Sequence, residues 1–234
     1  HSMLKLGIMQ PYFFPYIQQF RHIGQCDKWI VFDTPKFSRK SWICRNRIIN
    51  RNTGWSYISV PIVKNATQSP MRLAQIVDGN WQEKIFHNLK VYKHTSPYYN
   101  ETIEIVEQCI DGSHDSIVDL NLNILKTICY YLDINTKIEQ LSKLSLDLPN
   151  SAQPGEWACH ISKAMGADVY SNAPGGSHLF DDEFYKKNNI ILEFYQPKLL
   201  EYSTPGFEFL SDLSVIDSLM WTGIGNLKNW CSDS

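Results

Sequence analysis

The residues best suited to chemistry lie in a basic, aromatic segment between Asp33 and Asp78, where no acidic residue occurs. Eight bases fall in this segment: Lys36, Arg39, Lys40, Arg45, Arg47, Arg51, Lys64 and Arg72. The segment therefore carries a charge of +8, whereas the rest of the chain has a charge of −10. A solvated surface normally mixes both signs, so this block predicts an anion site for a nucleotide, a diphosphate or an RNA backbone. The alternative is a basic face that pairs with acids from elsewhere in the fold.

Within this segment, Arg45, Asn46 and Arg47 form a compact polar set with the strand-ending Asp33. Arginine has a planar guanidinium that matches phosphate or carboxylate oxygens in pairs. We therefore interpret the two arginines as anion-binding residues. Asp33 follows the apolar run "KWIVF", and ligands of open α/β sheets bind beyond the carboxyl ends of the strands.

The loop "QPYFFPY" runs from Gln10 to Tyr16 and directly follows the first predicted strand. Pro11 and Pro15 each fix the backbone angle φ, so we expect the loop to be rigid before a ligand binds. Tyr12 and Tyr16 can stack on a base or a sugar at low entropic cost. Gln10 offers both a donor and an acceptor. We interpret these residues as substrate-binding, and the alternative is a hydrophobic plug with Pro15 opening the next helix.

Three further candidates come from the C-terminal third of the chain. Gly175 and Gly176 join a strand to a helix and let the backbone approach a ligand closely. His178 follows them and is a candidate general base. Asp217 borders the apolar face of the helix "LSVIDSLM", where it is either an ion-pair partner of the basic block or a catalytic base. No Gly-rich dinucleotide motif or Walker A sequence occurs, and no pattern predicts a metal site.

The composition is that of a globular protein, with 43% hydrophobic and 20% charged residues among 234. No apolar run is long enough to span a bilayer, and no signal peptide is visible. The six cysteines are widely scattered and form no CxxC pair. We therefore expect a reduced, cytoplasmic protein with no membrane span.

The element pattern predicts an α/β fold with a mostly parallel sheet flanked by helices and a helical middle segment. Strands are predicted at "LKLGIM", "KWIVFD" and "WSYISVPIV", and amphipathic helices occupy the middle. The loop "NSAQPG" is the best internal boundary. It divides the chain into an N-terminal portion, 3–149, and a C-terminal portion, 150–234, which we expect to pack on the same sheet as one domain.

Five ordered blocks resemble the WbqC-like protein family: "KLGIMQPYFFPYIQQFRHIGQCDKWIVFD", "KSWICRNRI", "GADVYSNAPGG", "LFDDEFYKKNNIILEF" and "DLSVIDSLMWTG". The resemblance covers nearly the whole chain. It implies a place in the biosynthesis of bacterial O-antigen (lipopolysaccharide) or other surface polysaccharides, and transfer of glycine or a similar acyl group to a sugar. Met9 stands where many members have histidine.

From this resemblance we expect an acyl transferase, of the glycyl or aminoacyl type, that acts on a nucleotide-linked amino sugar. The arginines would hold the diphosphate, Asp33 or His178 would take the amine proton, and N–H groups near Gly175 and Gly176 would stabilise an oxyanion. The donor stays open between charged tRNA, acyl-CoA and ATP plus an amino acid. The alternatives are an ATP-dependent acid-activating ligase and a non-catalytic sugar-nucleotide-binding assembly protein. No cofactor and no oligomeric state is predicted.

Overall fold

The computed structural model of the protein describes residues 3–175 and 179–233. The strands in these ranges are β1 (Lys5–Met9), β2 (Lys28–Val31), β3 (Arg45–Asn50), β4 (Gly54–Ser59), β5 (Lys137–Gln140), β6 (Val169–Asn172) and β7 (Ile191–Phe194). The α-helices are α1 (Ile17–Gly24), α2 (Trp81–Leu89), α3 (Tyr99–Ile110), α4 (Ile117–Tyr131), α5 (Trp157–Ala164), α6 (Asp182–Lys187), α7 (Val215–Thr222) and α8 (Ile224–Ser232). The Gly175–Gly176–His178 loop therefore lies only partly inside the described residues.

Five strands form one parallel sheet in the order β5-β2-β1-β6-β7, which confirms the predicted α/β fold. The chain first adds β2 and β5 on one side of β1, and later adds β6 and β7 on the other. The direction of winding therefore reverses between β1 and β6. In open α/β sheets, the crevice beyond the carboxyl ends of the strands at such a reversal is the usual ligand site.

The middle of the sheet is tightly packed at Gly7 in β1. A Cβ atom at this position would lie 2.3 Å from the ring of Trp29 in β2, so only glycine fits without displacement of the ring. The fully buried Leu6 packs beside it on the opposite face. This contact fixes the central strands whose carboxyl ends form the crevice.

Helices α2, α3 and α4 form the predicted helical middle segment between the strands β4 and β5. Helix α4 begins at an N-cap serine, Ser116, whose hydroxyl accepts the Asp119 N–H at 3.1 Å. Its apolar stripe includes the fully buried Leu120, Ile124 and Ile128, as the helical spacing predicts.

The hairpin of β3 and β4 was only half predicted, because β3 lies inside the basic block. The two strands pair antiparallel, with Arg47 opposite Tyr57. One face buries Asn46 and Ile48, while Arg47 and Tyr57 lie on the other. Polar side chains on both faces hide the alternation of apolar and polar residues by which a strand is normally recognised.

Strands of both predicted portions lie in the same sheet, since β6 pairs with β1. The division at residues 149 and 150 itself stays a prediction. Across the described ranges, no helix combines the length and the apolar character required to cross a membrane.

Candidate functional site

A cavity of about 520 Å³ opens beyond the carboxyl ends of β1 and β6, where the winding of the sheet reverses. Five segments supply its described walls: the end of β1 with its following loop, the start of α1, the hairpin with Trp42, the chain that follows β6, and the segment before α7. Tyr12, Tyr16, Asn46 and Arg47 are the predicted site residues that line it. A cavity of about 600 Å³ also occurs beside Thr136, before β5, at the opposite end of the strands.

The loop after β1 is held in place by two buried asparagines. Asn121 donates to the carbonyl oxygens of Pro11 and Ile43 at 2.7 and 2.8 Å. Asn46 donates to the carbonyl oxygen of Phe13 at 3.0 Å, and the Phe13 N–H donates to the Trp42 carbonyl oxygen at 2.7 Å. The buried backbone of the loop is thus paired with side chains from α4 and the hairpin, as buried polar groups require.

The second half of the same loop is held by the start of α7. The Ser214 hydroxyl donates to the Phe14 carbonyl oxygen at 2.8 Å, and the Val215 N–H donates to the Pro15 carbonyl oxygen at 2.9 Å. Phe14 has a φ of +41°, which is unusual for a bulky residue and needs such support. These bonds therefore hold the second half of the loop in the conformation that lines the cavity.

The aromatic residues of this loop divide between the two roles considered from the sequence. Phe13 and Phe14 are fully buried and pack edge to face at 4.9 Å, so they form a hydrophobic plug. Tyr12 and Tyr16 are half-buried and face the cavity. The hydrophobic-plug interpretation therefore applies to Phe13 and Phe14, whereas substrate binding by Tyr12 and Tyr16 stays a prediction.

Arg47 is the positive charge of the described cavity wall. Its guanidinium lies 5.3 Å from the rings of both Trp42 and Trp55, and Nη2 donates to the Asp212 carbonyl oxygen at 3.1 Å. Within the described chain, the buried Nε atom has no hydrogen-bond partner. Arg47 is thus fixed in place and keeps an unused donor, which suits the binding of an anion.

Gln19 is a cavity residue that the sequence did not reveal. It lies in the first turn of α1 and is only 5% exposed. Its Oε1 atom has no hydrogen-bond partner among the described residues, although a buried amide normally has one. A polar ligand in the cavity would satisfy this amide. The helical spacing of Ile17, Phe20 and Ile23 indicated the helix but not which residue beside its apolar stripe faces a ligand.

Asp212 is the second cavity residue that was missed, and the only acid among the described lining residues. It has a φ of +61°, a conformation that aspartate and asparagine tolerate better than most residues. Burial, and then the nearby Asp212 carboxylate, raise the pKa of Tyr16. Asp212 also lines an adjoining cavity of about 400 Å³, together with Lys198, Tyr202 and Ser218. In the sequence, "SDLS" indicates only the start of a helix.

Asp33 lies apart from this cavity and is fully buried. Its carboxylate accepts hydrogen bonds from the Ser142 N–H at 2.9 Å, the Ser142 hydroxyl at 2.5 Å and the Gln140 amide at 3.2 Å. These bonds connect the end of β2 to the chain after β5. The structure therefore does not bring Asp33 together with the arginines with which the sequence analysis grouped it.

Asp217 is also buried away from the cavity. Its carboxylate accepts hydrogen bonds from the Tyr92 and Tyr202 hydroxyls at 2.7 and 2.5 Å, and from the Trp221 ring N–H at 3.3 Å. Burial raises the pKa of Asp217 to about 6, against the effect of these hydrogen bonds. Its partners are neutral side chains. No ion pair within the described residues includes Asp217 or a base of the +8 segment.

The other residues predicted for the site are not among the described residues that line the cavity. Gln10 is half-buried and Pro11 is buried, and neither is among the described lining residues. Arg45 lies on the hairpin with its guanidinium 4.0 Å from the centre of the Tyr57 ring. Gly175 is exposed beside the lining residue Pro174. Gly176 and His178 lie outside the described residues.

The cavity sits in a chain whose residues 10–229 match the WbqC-like protein family. The chain belongs to this family. Among curated proteins, it is 23% identical over 195 residues to the uncharacterised protein Rv1507c of Mycobacterium tuberculosis (strain ATCC 25618 / H37Rv), a match that covers 82% of each chain. No solved structure matches the chain significantly. The family match includes the aromatic loop, the hairpin and Asp212, whereas the lining residues Ile8 and Met9 of β1 lie just before the matched range.

Proposed function

We propose that this WbqC-like protein is a cytoplasmic acyl transferase, of the glycyl or aminoacyl type. Its acceptor would be a nucleotide-linked amino sugar used for O-antigen or another surface polysaccharide. The observation that carries the proposal is that Asp212 lines two adjoining cavities. A reaction between two ligands requires two binding spaces that meet at the reacting atoms, and a carboxylate at the junction can take up the proton that acyl transfer to an amine releases.

The larger of the two adjoining cavities suits the nucleotide-linked sugar. The Arg47 guanidinium would bind the diphosphate, and the rings of Tyr12 and Trp42 offer faces for a base or a sugar. The unpaired amide of Gln19 would bind a sugar hydroxyl or a polar edge of the base. A volume of about 520 Å³ is within the range of small-molecule sites.

The smaller cavity, of about 400 Å³, suits the acyl group of the donor. Lys198 and Ser218 provide polar atoms at its wall, and Leu199 and Leu200 provide apolar surface. The Tyr202 hydroxyl there is turned to the Asp217 carboxylate. Asp217 would thus orient a wall residue rather than act on the substrate.

In the proposed reaction, the sugar amine attacks the carbonyl carbon of an activated acyl group. The new bond joins nitrogen to the acyl carbon, and the bond from that carbon to the oxygen or sulfur of the donor breaks. Asp212 accepts the proton that the amine loses, and the leaving group of the donor is released with its electron pair. This assigns to Asp212 the role that the sequence analysis gave to Asp33 or His178.

The test is the variant Asp212→Asn, which removes the charge but suits the positive φ. We expect acyl transfer to fall about 100-fold or more, as for loss of a general base, with nucleotide-sugar affinity unchanged within about threefold. Asp133→Asn is the matched control, because Asp133 is an exposed aspartate with a φ of +59° at the distant cavity before β5. Full activity of Asp212→Asn would reject the base assignment. Binding of the nucleotide sugar without turnover by the wild type would favour an assembly protein.

A further inference from the structure

We infer that the solvent-facing side of the hairpin binds single-stranded RNA. This surface, here called the hairpin face, consists of Trp42, Arg45, Arg47, Trp55 and Tyr57. It combines neighbouring aromatic rings with arginines, and it adjoins the cavity through Trp42 and Arg47.

The rings of the hairpin face form a connected group. Tyr57 lies 5.0 Å from Trp55 and 6.4 Å from Trp42, measured between ring centroids. Trp42 is 37% exposed and Tyr57 is 38% exposed, which places both among the exposed large hydrophobic residues of the described chain. Exposed aromatic rings are the platforms on which unpaired bases stack.

The arginines alternate with these rings. Arg45 covers the Tyr57 ring at 4.0 Å, and Arg47 lies between Trp42 and Trp55. Contact with the rings restrains the guanidinium groups, and arginine has N–H donors in a planar fork that matches phosphate. At the far end of the hairpin, Arg51 lies 5.1 Å from the Phe207 ring. A row of positive charges therefore follows the hairpin.

The bases of the +8 segment form no ion pair with acids among the residues that the structure describes. Six of these bases are exposed: Lys36, Arg39, Lys40, Arg51, Lys64 and Arg72. A one-sign surface of this kind attracts a polyanion, because binding releases the counterions of the phosphates.

The rings favour a single strand over a duplex, since bases within a duplex are already stacked on one another. The choice of RNA rests on the proposed function. An RNA strand along the hairpin face would reach the cavity at Trp42 and Arg47, so a 3′ end that carries an ester-linked acyl group would enter the proposed transferase site. The donor would then be an aminoacyl-RNA.

The experiment measures the binding of a fluorescein-labelled 12-nucleotide RNA ending in CCA, by anisotropy, from 50 to 200 mM salt. With contacts to the three arginines Arg45, Arg47 and Arg51, the affinity is expected to fall about 20-fold over this range. Tyr57→Ala should weaken binding by about fivefold or more through the loss of stacking, and Arg45→Gln/Arg51→Gln should weaken it and flatten the salt slope.

The matched controls are Tyr130→Ala, an exposed tyrosine on α4, and Lys126→Gln/Lys228→Gln, two exposed bases on α4 and α8. They should leave RNA affinity unchanged within about twofold. Equal binding of a 12-base-pair RNA duplex or of heparin, or an unchanged affinity in Tyr57→Ala, would overturn the inference. A DNA strand of the same sequence that binds equally well would reject the RNA-specific part of it.

Nucleotide-sugar binding is measured on the same samples by calorimetry. Loss of RNA binding with nucleotide-sugar binding intact would reject only this inference. Salt-dependent RNA binding by the wild type without any nucleotide-sugar binding would reject the proposed function and leave the RNA surface standing.

Discussion

The hydroxyl of Ser214 donates a hydrogen bond of 2.8 Å to the carbonyl oxygen of Phe14, which is 200 positions earlier in the chain. The same hydroxyl accepts the Ile216 N–H at 3.2 Å, so Ser214 both caps α7 and fixes the aromatic loop. The start of α7 is thus a structural support of the cavity wall. Because the preceding Asp212 lines the cavity, one short segment positions both the loop and the proposed base.

Ser214→Ala should therefore have two effects at once. Loss of the cap and an unpaired buried carbonyl should lower the free energy of unfolding by about 2 to 3 kcal/mol. For a chain of this size, the Tm should fall by about 4 to 12 °C. Ligand affinity at the cavity should also fall, because Phe14 loses the contact that supports its positive φ.

The control is Ser116→Ala, which removes an N-cap serine whose hydroxyl, within the described chain, bonds only to its own helix, α4. It should lower stability by about 1 kcal/mol and leave cavity binding unchanged. Equal effects of the two variants on calorimetric unfolding and on ligand affinity would show that the bond to Phe14 is unimportant.

The parts of the fold that could be predicted are those set by local patterns. The strand "LKLGIM", the helix after the aromatic loop and the Ser-capped, Gly-ended α7 all follow from hydrophobic periodicity and capping residues. The position of the aromatic loop beside a cavity also follows, since it continues from the end of a buried parallel strand.

The positions of the acids could not be predicted in the same way, because they depend on contacts between distant residues. Asp33 looked available at a strand end, yet the chain after β5 returns and places Ser142 on its carboxylate. Asp212 looked like part of a helix start, yet its neighbours in space are Tyr16 and Arg47. Sequence spacing contains no information on which loop returns to which strand end.

Arg47→Lys should weaken anion binding in the cavity by about tenfold. A lysine ammonium cannot stack between Trp42 and Trp55 as a planar group, and it cannot offer paired N–H donors to a diphosphate. The measurement is calorimetric titration with a nucleoside diphosphate. Arg72→Lys is the control, because Arg72 is exposed and lies outside the cavity. A change below about twofold in Arg47→Lys would exclude Arg47 as the diphosphate ligand.

His22 makes the stability of the protein dependent on pH. Burial lowers the pKa of His22 from 6.5 to about 4, and its ring contacts the Ser171 hydroxyl at 2.9 Å and stacks on Tyr195 at 4.7 Å. The neutral ring is therefore the native form. The contribution of His22 to the free energy of unfolding is complete above pH 6.5. It is lost as the pH falls towards 4, because the unfolded chain takes up a proton that the buried ring does not, and the total loss is about 3 kcal/mol.

His22→Phe should remove this dependence while it keeps an aromatic ring in place. At pH 7.5 the variant should be less stable than the wild type by about 1 to 3 kcal/mol, because the Ser171 hydroxyl loses its partner. At pH 5 that difference should shrink by about 2 kcal/mol, as measured by urea unfolding. Ser171→Ala retains His22 and should keep the pH dependence. A stability difference that is constant from pH 5 to 7.5 would contradict the assignment.

Tyr92 provides a test of the buried Asp217 carboxylate. The Tyr92 hydroxyl donates to Asp217 at 2.7 Å and accepts the Ile49 N–H at 3.2 Å, so one group connects α7 to the hairpin. Burial raises the pKa of Asp217 from 3.8 to about 6, which means that stability falls by about 3 kcal/mol as the pH rises from 3.8 to 6. Over part of this range the effect opposes that of His22.

In Tyr92→Phe, the ionised carboxylate loses a donor, so the pKa of Asp217 should rise further above 6. The variant should consequently be destabilised more at pH 8 than at pH 5, with a loss of about 2 to 4 kcal/mol at the higher pH. Tyr185→Phe is the control, because the Tyr185 hydroxyl donates to the Gly155 carbonyl oxygen at 2.9 Å and bonds to no carboxylate among the described residues, so its loss should not depend on pH in this range. Carbon-13 NMR titration of the Asp217 carboxyl decides the matter, since a pKa that stays near 6 in Tyr92→Phe would show that Tyr92 does not stabilise the charge.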